Sequence, residues 1–583
     1  MPTLEWIGKD KVVNHHLEVP FRVLERKYSF DENGQHDEDN GSENMIIRGD
    51  NLEALKALLP RYEGRVKCIY IDPPYNTGNE GWIYNDNVND PKIKKWLGEV
   101  VGKEGEDLTR HDKWLCMMYP RLKLLQKLLA DDGVIFISID DTEYANLKLI
   151  CDEIFGSNCF VSNISWQRTY STRNDSKGIV NEVEHLVVYS KLPDWNPNKL
   201  PRTAEMDAKY KNPDNDRTLW RTDNAFAPGA ATHQGMVYAI QHPFTGKMLY
   251  PSNGACWRYQ QDQMLEIMRG WCGYELRDLN DAHERAVVCG VPESDVRQGV
   301  QAIVLSESLE ISAQKAQAVY DRGQWPRFFF TKGGKGGIAR KTYLENVGGK
   351  LPTNFWAFTE TGHTDEAKKE MLAIFDGKAT FDTPKPHRLI EFVLKVAGNE
   401  NALILDSFAG SGTTAHAVLN MNKADGGHRK FILVEMMDYA DSITAERVKR
   451  VIRGYGEGKN AVEGTGGNFS FYDLGEPLMI GDVLNENVGI EKIREYVYFT
   501  DTKASLPESH PDEPYFMGVH IGSAYYFYYE KQAVTTLNRE FLHTVKTKAD
   551  SYVIYADLCT LSEAELEKYH ITFKKIPRDI TKL

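Results

Sequence analysis

A short apolar run that ends in two prolines places the strongest constraint on how this chain can fold. Residues 66–71, VKCIYI, are rich in β-branched and aromatic side chains, which predicts a buried strand. The motif Asp72-Pro73-Pro74-Tyr75 must end that strand, because proline lacks the N–H and fixes φ. Residues 76–79 then favour a turn. We therefore expect Asp72 and Tyr75 at the carboxyl end of a strand, the edge where open α/β sheets bind ligands.

This turn carries groups that suit an exocyclic amine of a nucleobase. Asp72 and the carbonyl of Pro73 can accept its two N–H hydrogens, and Tyr75 offers a flat face to a base that has left its duplex. Such an alignment points the nitrogen lone pair at an electrophilic methyl group. A rigid proline turn with no catalytic role is the alternative interpretation.

A second strand, loop and helix are indicated late in the chain, at residues 402–419. Leu403 to Asp406 predict a buried strand, and residues 408–412, FAGSG, predict a turn before a helix from Thr413. Glycines let the backbone approach a ligand, and a helix N-terminus offers N–H donors. The next strand ends at Glu435, close to the spacing at which dinucleotide folds place an acid on a ribose. The pattern predicts an adenosine-containing ligand without saying which.

Length and composition restrict the class of protein. The chain has 583 residues, so several domains are expected. A net charge of −14 disfavours a protein that simply coats nucleic acid, although a local basic cleft is compatible with it. The eight cysteines form no Cys-x-x-Cys pair, which predicts a reduced cytoplasmic chain with no metal site. No signal core or membrane-length apolar run is evident.

The two motifs and their order resemble the β group of DNA amino-methyltransferases. Residues 48–55, 70–79 and 406–414 carry the likeness, which is greatest to the modification subunits of type III restriction–modification systems. The resemblance implies S-adenosyl-L-methionine as methyl donor and adenine N6 in double-stranded DNA as acceptor. It also implies a homodimer, an ATP-dependent restriction subunit as partner, and the prokaryotic cytoplasm as location.

The resemblance also implies roles for individual residues. The catalytic motif is matched by Asp72, Pro73, Pro74 and Tyr75. The methyl-donor pocket is assigned to Asp50, Lys385, Pro386, Asp406, Phe408, Ala409, Gly410, Gly412, Thr413 and Glu435. Structural alternatives stay open for two of these sites, because Asp50 is also a candidate N-cap with Glu53 completing a capping box. Residues 384–386 equally suit an extended entry to a helix.

The expected fold class is α/β, a doubly wound Rossmann-like methyltransferase sheet with an inserted domain and a small C-terminal α/β module. We assign residues 1–44 to an N-terminal extension with an acidic mobile loop at 31–44, and 45–160 to the catalytic half. Residues 161–345 form the inserted target-recognition domain, 346–463 the donor-binding half, and 464–583 the C-terminal module. In that module, residues 497–499 are predicted as a strand.

Other functions remain open from the sequence. Cytosine N4 methylation requires the same geometry, and a catalytically silent DNA-recognition subunit or an RNA substrate is compatible with parts of the pattern. Carbon-5 cytosine methylation is disfavoured, because it needs a cysteine nucleophile and the chain has no Pro-Cys pair.

Overall fold

The computed structural model describes residues 3–77, 99, 110–170, 179–507 and 512–578. Gly78 and Asn79, the last residues of the predicted turn, lie outside these ranges. The chain divides into two compact units, Met1–Asn198 with Pro352–Leu583, and Lys199–Leu351. Within the described ranges, no helix is both long and apolar enough to cross a membrane.

One sheet of eleven described strands forms the body of the first unit. In chain order the strands are β1 Arg22–Asp31, β2 Gly34–His36, β3 Met45–Arg48, β4 Val66–Ile71, β5 Leu129–Ile139, β6 Phe160–Gln167, β7 Val183–Ser190, β8 Phe355–Trp356, β9 Leu403–Asp406, β10 Lys430–Glu435 and β11 Phe469–Pro477. Their spatial order is β8-β6-β7-β5-β4-β9-β10-β3-β11-β1-β2. The strands from β5 to β11 in this order are parallel, which confirms the predicted α/β class.

Helices connect the parallel strands. They are α1 Asn51–Tyr62, α2 Arg110–Leu128, α3 Tyr144–Phe155, α4 Thr364–Ile374, α5 His387–Ala397, α6 Thr413–Asp425, α7 Glu446–Arg453 and α8 Ile490–Thr502, with short helices at Lys9–Val12, His15–Glu18 and Phe358–Thr361. Asp50 caps α1 as predicted, accepting hydrogen bonds from the N–H groups of Leu52 and Glu53. Glu53 does not complete a capping box; it pairs with Arg22 at 2.9 Å.

The strand order reverses between β4 and β9. The chain leaves β4 for β5 on one side of the sheet, and leaves β9 for β10 on the other. Cys68 lies opposite Ile404 and Ile69 opposite Leu405, so the two strands end at the same edge. A crevice outside such a reversal is the usual ligand site of an open α/β sheet.

The apolar faces of α1 and α2 cover one side of this sheet. Leu52, Leu55 and Leu58 of α1 are buried with Trp114 and Leu122 of α2 against the strands. Leucines spaced by three or four residues place one helix face on the sheet, and their burial stabilises the strand ends that carry the two motifs.

The second unit, Lys199–Leu351, has a core of its own. Its strands are Trp220–Asn224, Phe226–Pro228, Ile240–Gln241, Met248–Leu249, Ala255–Trp257, Tyr274–Arg277, Ala302–Leu305, Phe328–Phe330 and Ile338–Tyr343, and its helices are Ala204–Asp207, Gln261–Met268, Ala282–Cys289 and Leu309–Arg322. Aromatic residues dominate the core, among them Trp220, Trp257, Trp271 and Phe330. Such a core accounts for the aromatic richness of the segment.

The unit boundaries differ from those expected. The inserted unit begins at Lys199 rather than 161 and ends at Leu351 rather than 345. The start moves because β6 and β7 extend the central sheet by antiparallel pairing on β5. The first 44 residues also contribute to the sheet, and the expected mobile loop at 31–44 contains the β1–β2 hairpin, in which Asp31 pairs with Gly34.

The C-terminal segment also differs in part. Its expected start at 464 falls before β11, which belongs to the central sheet because it pairs with β3 and β1. The predicted strand at 497–499 is wrong: these residues lie in α8, where Ile493, Val497 and Tyr498 form one buried helical face. Beyond β11 the structure has strands at Met479–Ile480, Val483–Leu484, Phe516–His520, Ser523–Phe527, Thr536–Leu537, Ser551–Ala556, Leu558–Cys559 and Ile571–Lys575, and helices at Arg539–Leu542 and Glu563–Lys568.

Candidate active site

One pocket opens at the reversal between β4 and β9. Asp72 directly follows β4 and Asp406 ends β9, so both acids face the same edge of the sheet. The pocket is lined by Tyr70, Asp72, Phe381, Thr383, Pro384, Lys385, Asp406, Phe408, Ala409, Gly410, Ser411, Thr413 and Thr414. The two motifs, distant in sequence, therefore meet in one cavity.

Asp72 lies in a cluster of four interacting polar side chains. Lys385 Nζ donates to both carboxylate oxygens of Asp72 at 2.8 Å, and the Tyr75 hydroxyl donates to Asp72 Oδ1 at 2.8 Å. The fourth member is Glu184, which competes with Asp72 for the single hydroxyl proton of Tyr75 and lies 3.1 Å from Lys385 Nζ. We call Asp72, Tyr75, Glu184 and Lys385 the catalytic-turn cluster.

Burial sets the electrostatics of this cluster. Burial raises the pKa of Asp72, and the ammonium of Lys385 offsets part of that rise. For Lys385, burial lowers the pKa, but the carboxylates of Asp72 and Glu184 outweigh it and leave the pKa above its usual value. The pKa of Tyr75 is raised by burial and by both carboxylates. Lys385 is therefore charged at neutral pH, and Tyr75 keeps its proton.

Hydrogen bonds from neighbouring side chains fix the turn at residues 72–77. Trp114 Nε1 donates to the carbonyl of Pro74 at 2.7 Å, so a helix side chain fixes the second proline. Asn76 adopts a left-handed backbone with φ of 60°, which asparagine tolerates better than most residues. Its side chain donates to Glu143 Oε1 at 2.5 Å and to the Arg110 carbonyl at 3.1 Å. These bonds hold the backbone around Tyr75 in place.

The loop from Asp406 to Thr414 is organised by its own backbone. Asp406 accepts from the N–H of Phe408 at 3.0 Å and from the Thr414 hydroxyl at 2.6 Å. Burial raises the pKa of Asp406 to about 7. We call residues 406–414 the donor loop.

Two glycines allow the donor loop to turn sharply. Gly410 and Gly412 have φ of 50° and 82°, a region that favours glycine. A Cβ at Gly412 would lie 2.9 Å from the Thr444 carbonyl, and one at Gly410 would lie 3.2 Å from the Phe381 ring. The absence of side chains therefore lets the donor loop pack closely against Thr444 and Phe381.

Glu435 lies under the donor loop at the end of β10. Its Oε2 accepts from the N–H of Gly410 at 2.8 Å, and its Oε1 accepts from the N–H of Met437 at 2.9 Å. Burial raises the pKa of Glu435 to about 7. The contact of Glu435 with a ribose stays a prediction, because the carboxylate does not line the pocket.

Other predicted site residues take up supporting positions. Asp50 uses its carboxylate to cap α1 and to pair with Arg121 at 3.3 Å, next to Asn51, which donates to the Ser407 carbonyl at 3.2 Å. Pro386 is the N-cap residue of α5. Neither Asp50, Pro73, Pro74 nor Pro386 lines the pocket. Their roles in binding stay predictions.

Glu184 is a member of the cluster that the sequence did not indicate. It sits at the start of β7, an otherwise apolar strand that falls within the expected inserted domain. Because β7 is antiparallel to β5, with His185 opposite Ile139, its first residues lie at the carboxyl end of β5. An acid at the start of the buried run VEHLVVYS was the available signal.

A second buried cluster lies behind the donor loop. Arg447 donates to the side chains of Ser411 and Thr413 at 2.9 and 2.7 Å, and also to Glu370 and His416 at 3.1 Å. His387 completes it, with Nδ1 at 2.7 Å from Glu370. Glu370, His387 and His416 have the spacing of metal ligands, but Arg447 already donates to Glu370 Oε2 and His416 Nδ1. The bonding therefore fits a scaffold for the loop, which we call the Arg447 cluster.

Comparison with known proteins agrees with this geometry. The family model of N6/N4 methyltransferases, described as DNA methylase, matches residues 66–498. The StyLTI Mod subunit, from a type III restriction-modification enzyme of Salmonella typhimurium, is 32% identical over 474 residues. That match covers 77% of this chain and 62% of that protein, so the chain spans less than two thirds of its relative's length.

Two further proteins extend the comparison. The type II methyltransferase M.KpnI of Klebsiella pneumoniae is 30% identical over 398 residues, which cover 68% of this chain and 81% of that protein. Among solved structures, the cytosine-N4-specific PvuII DNA methyltransferase aligns at 13% identity with a TM-score of 0.31, covering 70% of this chain and 86% of that chain.

Proposed function

Because the chain belongs to the N6/N4 DNA methylase family, we propose that it transfers a methyl group from S-adenosylmethionine to adenine N6 in double-stranded DNA. The observation that carries the proposal is the shared pocket, in which Asp72 of the catalytic turn and Gly410 of the donor loop line the same cavity.

The donor loop suits the methyl donor. S-adenosylmethionine, when bound, supplies a methyl group activated by its sulfonium. Gly410 and Ser411 line the pocket, and Glu435 holds the loop through the N–H of Gly410. Phe408 and Phe381 line the same pocket and supply apolar surface for an adenine ring.

The catalytic turn aligns the acceptor. A target adenine leaves the duplex and stacks on Tyr75, and Asp72 and the Pro73 carbonyl accept its two N6–H hydrogens. This arrangement would direct the N6 lone pair at the methyl group that a bound S-adenosylmethionine would supply, leaving the demethylated thioether. The proton lost from N6 would pass to the Asp72 carboxylate that accepts from that N–H. Position and electrostatics supply the rate, without a covalent enzyme intermediate.

The recognition and assembly roles follow the same proposal. Target recognition is assigned to the Lys199–Leu351 unit, whose aromatic core is independent of the catalytic sheet. Likeness to the StyLTI Mod subunit supports a place in a type III restriction–modification system of the prokaryotic cytoplasm. There the chain would act as a homodimer and with an ATP-dependent restriction subunit.

Mass analysis of methylated DNA tests the proposal. The purified chain is incubated with unmethylated plasmid and tritiated S-adenosylmethionine, and the DNA is digested to nucleosides. We expect the label in N6-methyl-2′-deoxyadenosine. Label in N4-methyl-2′-deoxycytidine would move the acceptor to cytosine, and label found only when RNA replaces the plasmid would change the substrate. No label under any condition would leave a silent recognition subunit as the function.

A further inference from the structure

The ammonium of Lys385 is hydrogen-bonded to the carboxylate of Asp72, which the proposed reaction needs as an acceptor. Lys385 Nζ lies 2.8 Å from both oxygens of Asp72, 2.8 Å from the Tyr75 hydroxyl and 3.1 Å from Glu184. An ammonium has three protons, so it cannot donate to four oxygens at once. Asp72 Oδ1 also lies 2.8 Å from the Tyr75 hydroxyl, so these donors leave one lone pair, on Oδ2, for an incoming amine. Departure of the ammonium would open both carboxylate oxygens of Asp72 to that amine.

Glu184 offers the nearest alternative partner for that ammonium. Its side chain is only 4% exposed, and a second cation among the described residues, Arg168, lies 3.6 Å away and is 40% exposed. A buried carboxylate is costly unless a cation pairs with it closely, and Glu184 shares the ammonium of Lys385 with Asp72. Glu184 therefore gains from a full pairing with Lys385, and the flexible lysine stem allows the ammonium to shift toward it.

The backbone of Lys385 is tied to the donor loop. Its carbonyl accepts a hydrogen bond from the Thr413 hydroxyl at 3.3 Å, and Thr413 is held in turn by Arg447. The main chain of Lys385 is therefore fixed by the donor loop, whereas its ammonium lies in the catalytic-turn cluster. Movement of the ammonium does not require movement of the loop.

We propose that Glu184 is a positioning residue that takes Lys385 from Asp72 when the target base enters, so that Asp72 is open to the amine. The inference rests on the proposed function, since it concerns the same acceptor site. Glu184 touches neither donor nor base in this scheme. It acts through Lys385, and also holds the Tyr75 hydroxyl on which the stacking ring depends.

The central test compares Glu184→Gln with Glu182→Gln. Glutamine keeps the shape but cannot hold an ammonium as an ion pair, so Lys385 stays on Asp72. We expect kcat/KM for DNA to fall at least about tenfold, which corresponds to about 1.4 kcal/mol. The dissociation constant for S-adenosylmethionine, measured by calorimetric titration, should be unchanged. Glu182 lies two residues earlier and outside the cluster, so its variant should match the wild type.

A double variant separates positioning from plain structural support. Removing the cation with Lys385→Met in the Glu184→Gln chain frees Asp72 from its competitor. We expect the double variant to exceed Glu184→Gln in kcat/KM at pH 8 to 9, because a buried Asp72 is more readily ionised at higher pH. The variant Glu184→Asp should retain part of the wild-type activity. A structural role gives no such recovery.

The outcomes distinguish this inference from the function on which it rests. A wild-type protein without methyl transfer contradicts the proposed function. An active wild type, with Glu184→Gln equal to Glu182→Gln, overturns only the role of Glu184. Loss of donor affinity and thermal stability in Glu184→Gln, with no recovery in the double variant, overturns it as well.

Discussion

The catalytic turn and the donor loop meet in one pocket but are held in different ways. Asp406 accepts hydrogen bonds from the Phe408 N–H and the Thr414 hydroxyl, and Glu435 accepts one from the Gly410 N–H. All three donors belong to the donor loop. Asp72, in contrast, is satisfied by Tyr75 and by Lys385, a side chain from a remote segment. Backbone donors cannot leave without unfolding the loop, whereas a lysine can change partner. The donor side is therefore preformed, and the acceptor side is built to rearrange.

The largest effect should come from Asp72→Asn. An amide presents one acceptor oxygen and a competing N–H₂, so the amine is misaligned, and kcat should fall by roughly 100- to 1,000-fold. Donor binding should persist, because the donor loop does not depend on Asp72. Filter-bound tritium and calorimetric titration measure the two quantities.

Asp131→Asn is the matched control for that change. Asp131 is exposed near the other end of β5, away from the pocket, and its variant should keep wild-type activity. Near-normal transfer in Asp72→Asn would remove the distinction between the two sides of the pocket.

A smaller effect, on the donor side, is expected from Gly412→Ala. Its φ of 82° and the Thr444 carbonyl at 2.9 Å leave no room for a methyl group, so the loop must shift. We expect S-adenosylmethionine to bind roughly tenfold more weakly, a loss of about 1.4 kcal/mol, because the clash displaces the loop that lines the pocket.

The control is Gly426→Ala, at the other end of α6. Gly426 has φ of 71°, and a Cβ added there would meet nothing within 4 Å, so alanine brings backbone strain without a clash. Its variant should lose stability but keep donor affinity. Equal donor binding in the two variants would show that the donor loop is not preformed.

The pH dependence of stability should also reveal the buried acid under the donor loop. Burial raises the pKa of Glu435 to about 7 in the folded chain, against about 4.3 in an unfolded one. The folded state thus holds a proton that the unfolded state has lost, so the free energy of unfolding falls as pH rises from about 4.3 to 7. Glu435→Gln should flatten this slope.

Thermal unfolding between pH 5 and 8, without ligand, measures the slope. Glu400→Gln is the control, because Glu400 is exposed next to β9, and its curve should run parallel to the wild type. Parallel curves for Glu435→Gln and the wild type would show that burial does not raise the pKa of Glu435.

The smallest effect is expected from metal chelation. Arg447 Nη2 donates to Glu370 Oε2 and His416 Nδ1, which are among the atoms a metal would use. Treatment with EDTA should leave the melting temperature and methyl transfer unchanged in a magnesium-free assay. A melting temperature that rises with added zinc and returns with chelator would instead make the Arg447 cluster an ion site.

Sequence alone predicted the local strands and turns better than the contacts between distant segments. The strand ending at Asp406, the glycine turn and the strand ending at Glu435 are local patterns, and the structure has them where expected. Glu184 was missed because its place depends on β7 folding back antiparallel to β5, a pairing between distant segments. The strand predicted at 497–499 was wrong for a related reason. A short apolar run is compatible with a strand or a helix, and tertiary packing decides which of the two forms.

The pairing of β4 with β9 also bears on biosynthesis. Cys68 and Ile69 pair with β5 on one side, but they acquire their neighbours on the other side only when residues 404 and 405 have left the ribosome. Until then the centre of the sheet has an open edge, and a long stretch of chain, including the whole Lys199–Leu351 unit, must emerge first. Contacts of such long sequence separation form slowly and leave unpaired, aggregation-prone strand edges exposed in the meantime. We therefore expect this strand pair to contribute to chaperone dependence during translation.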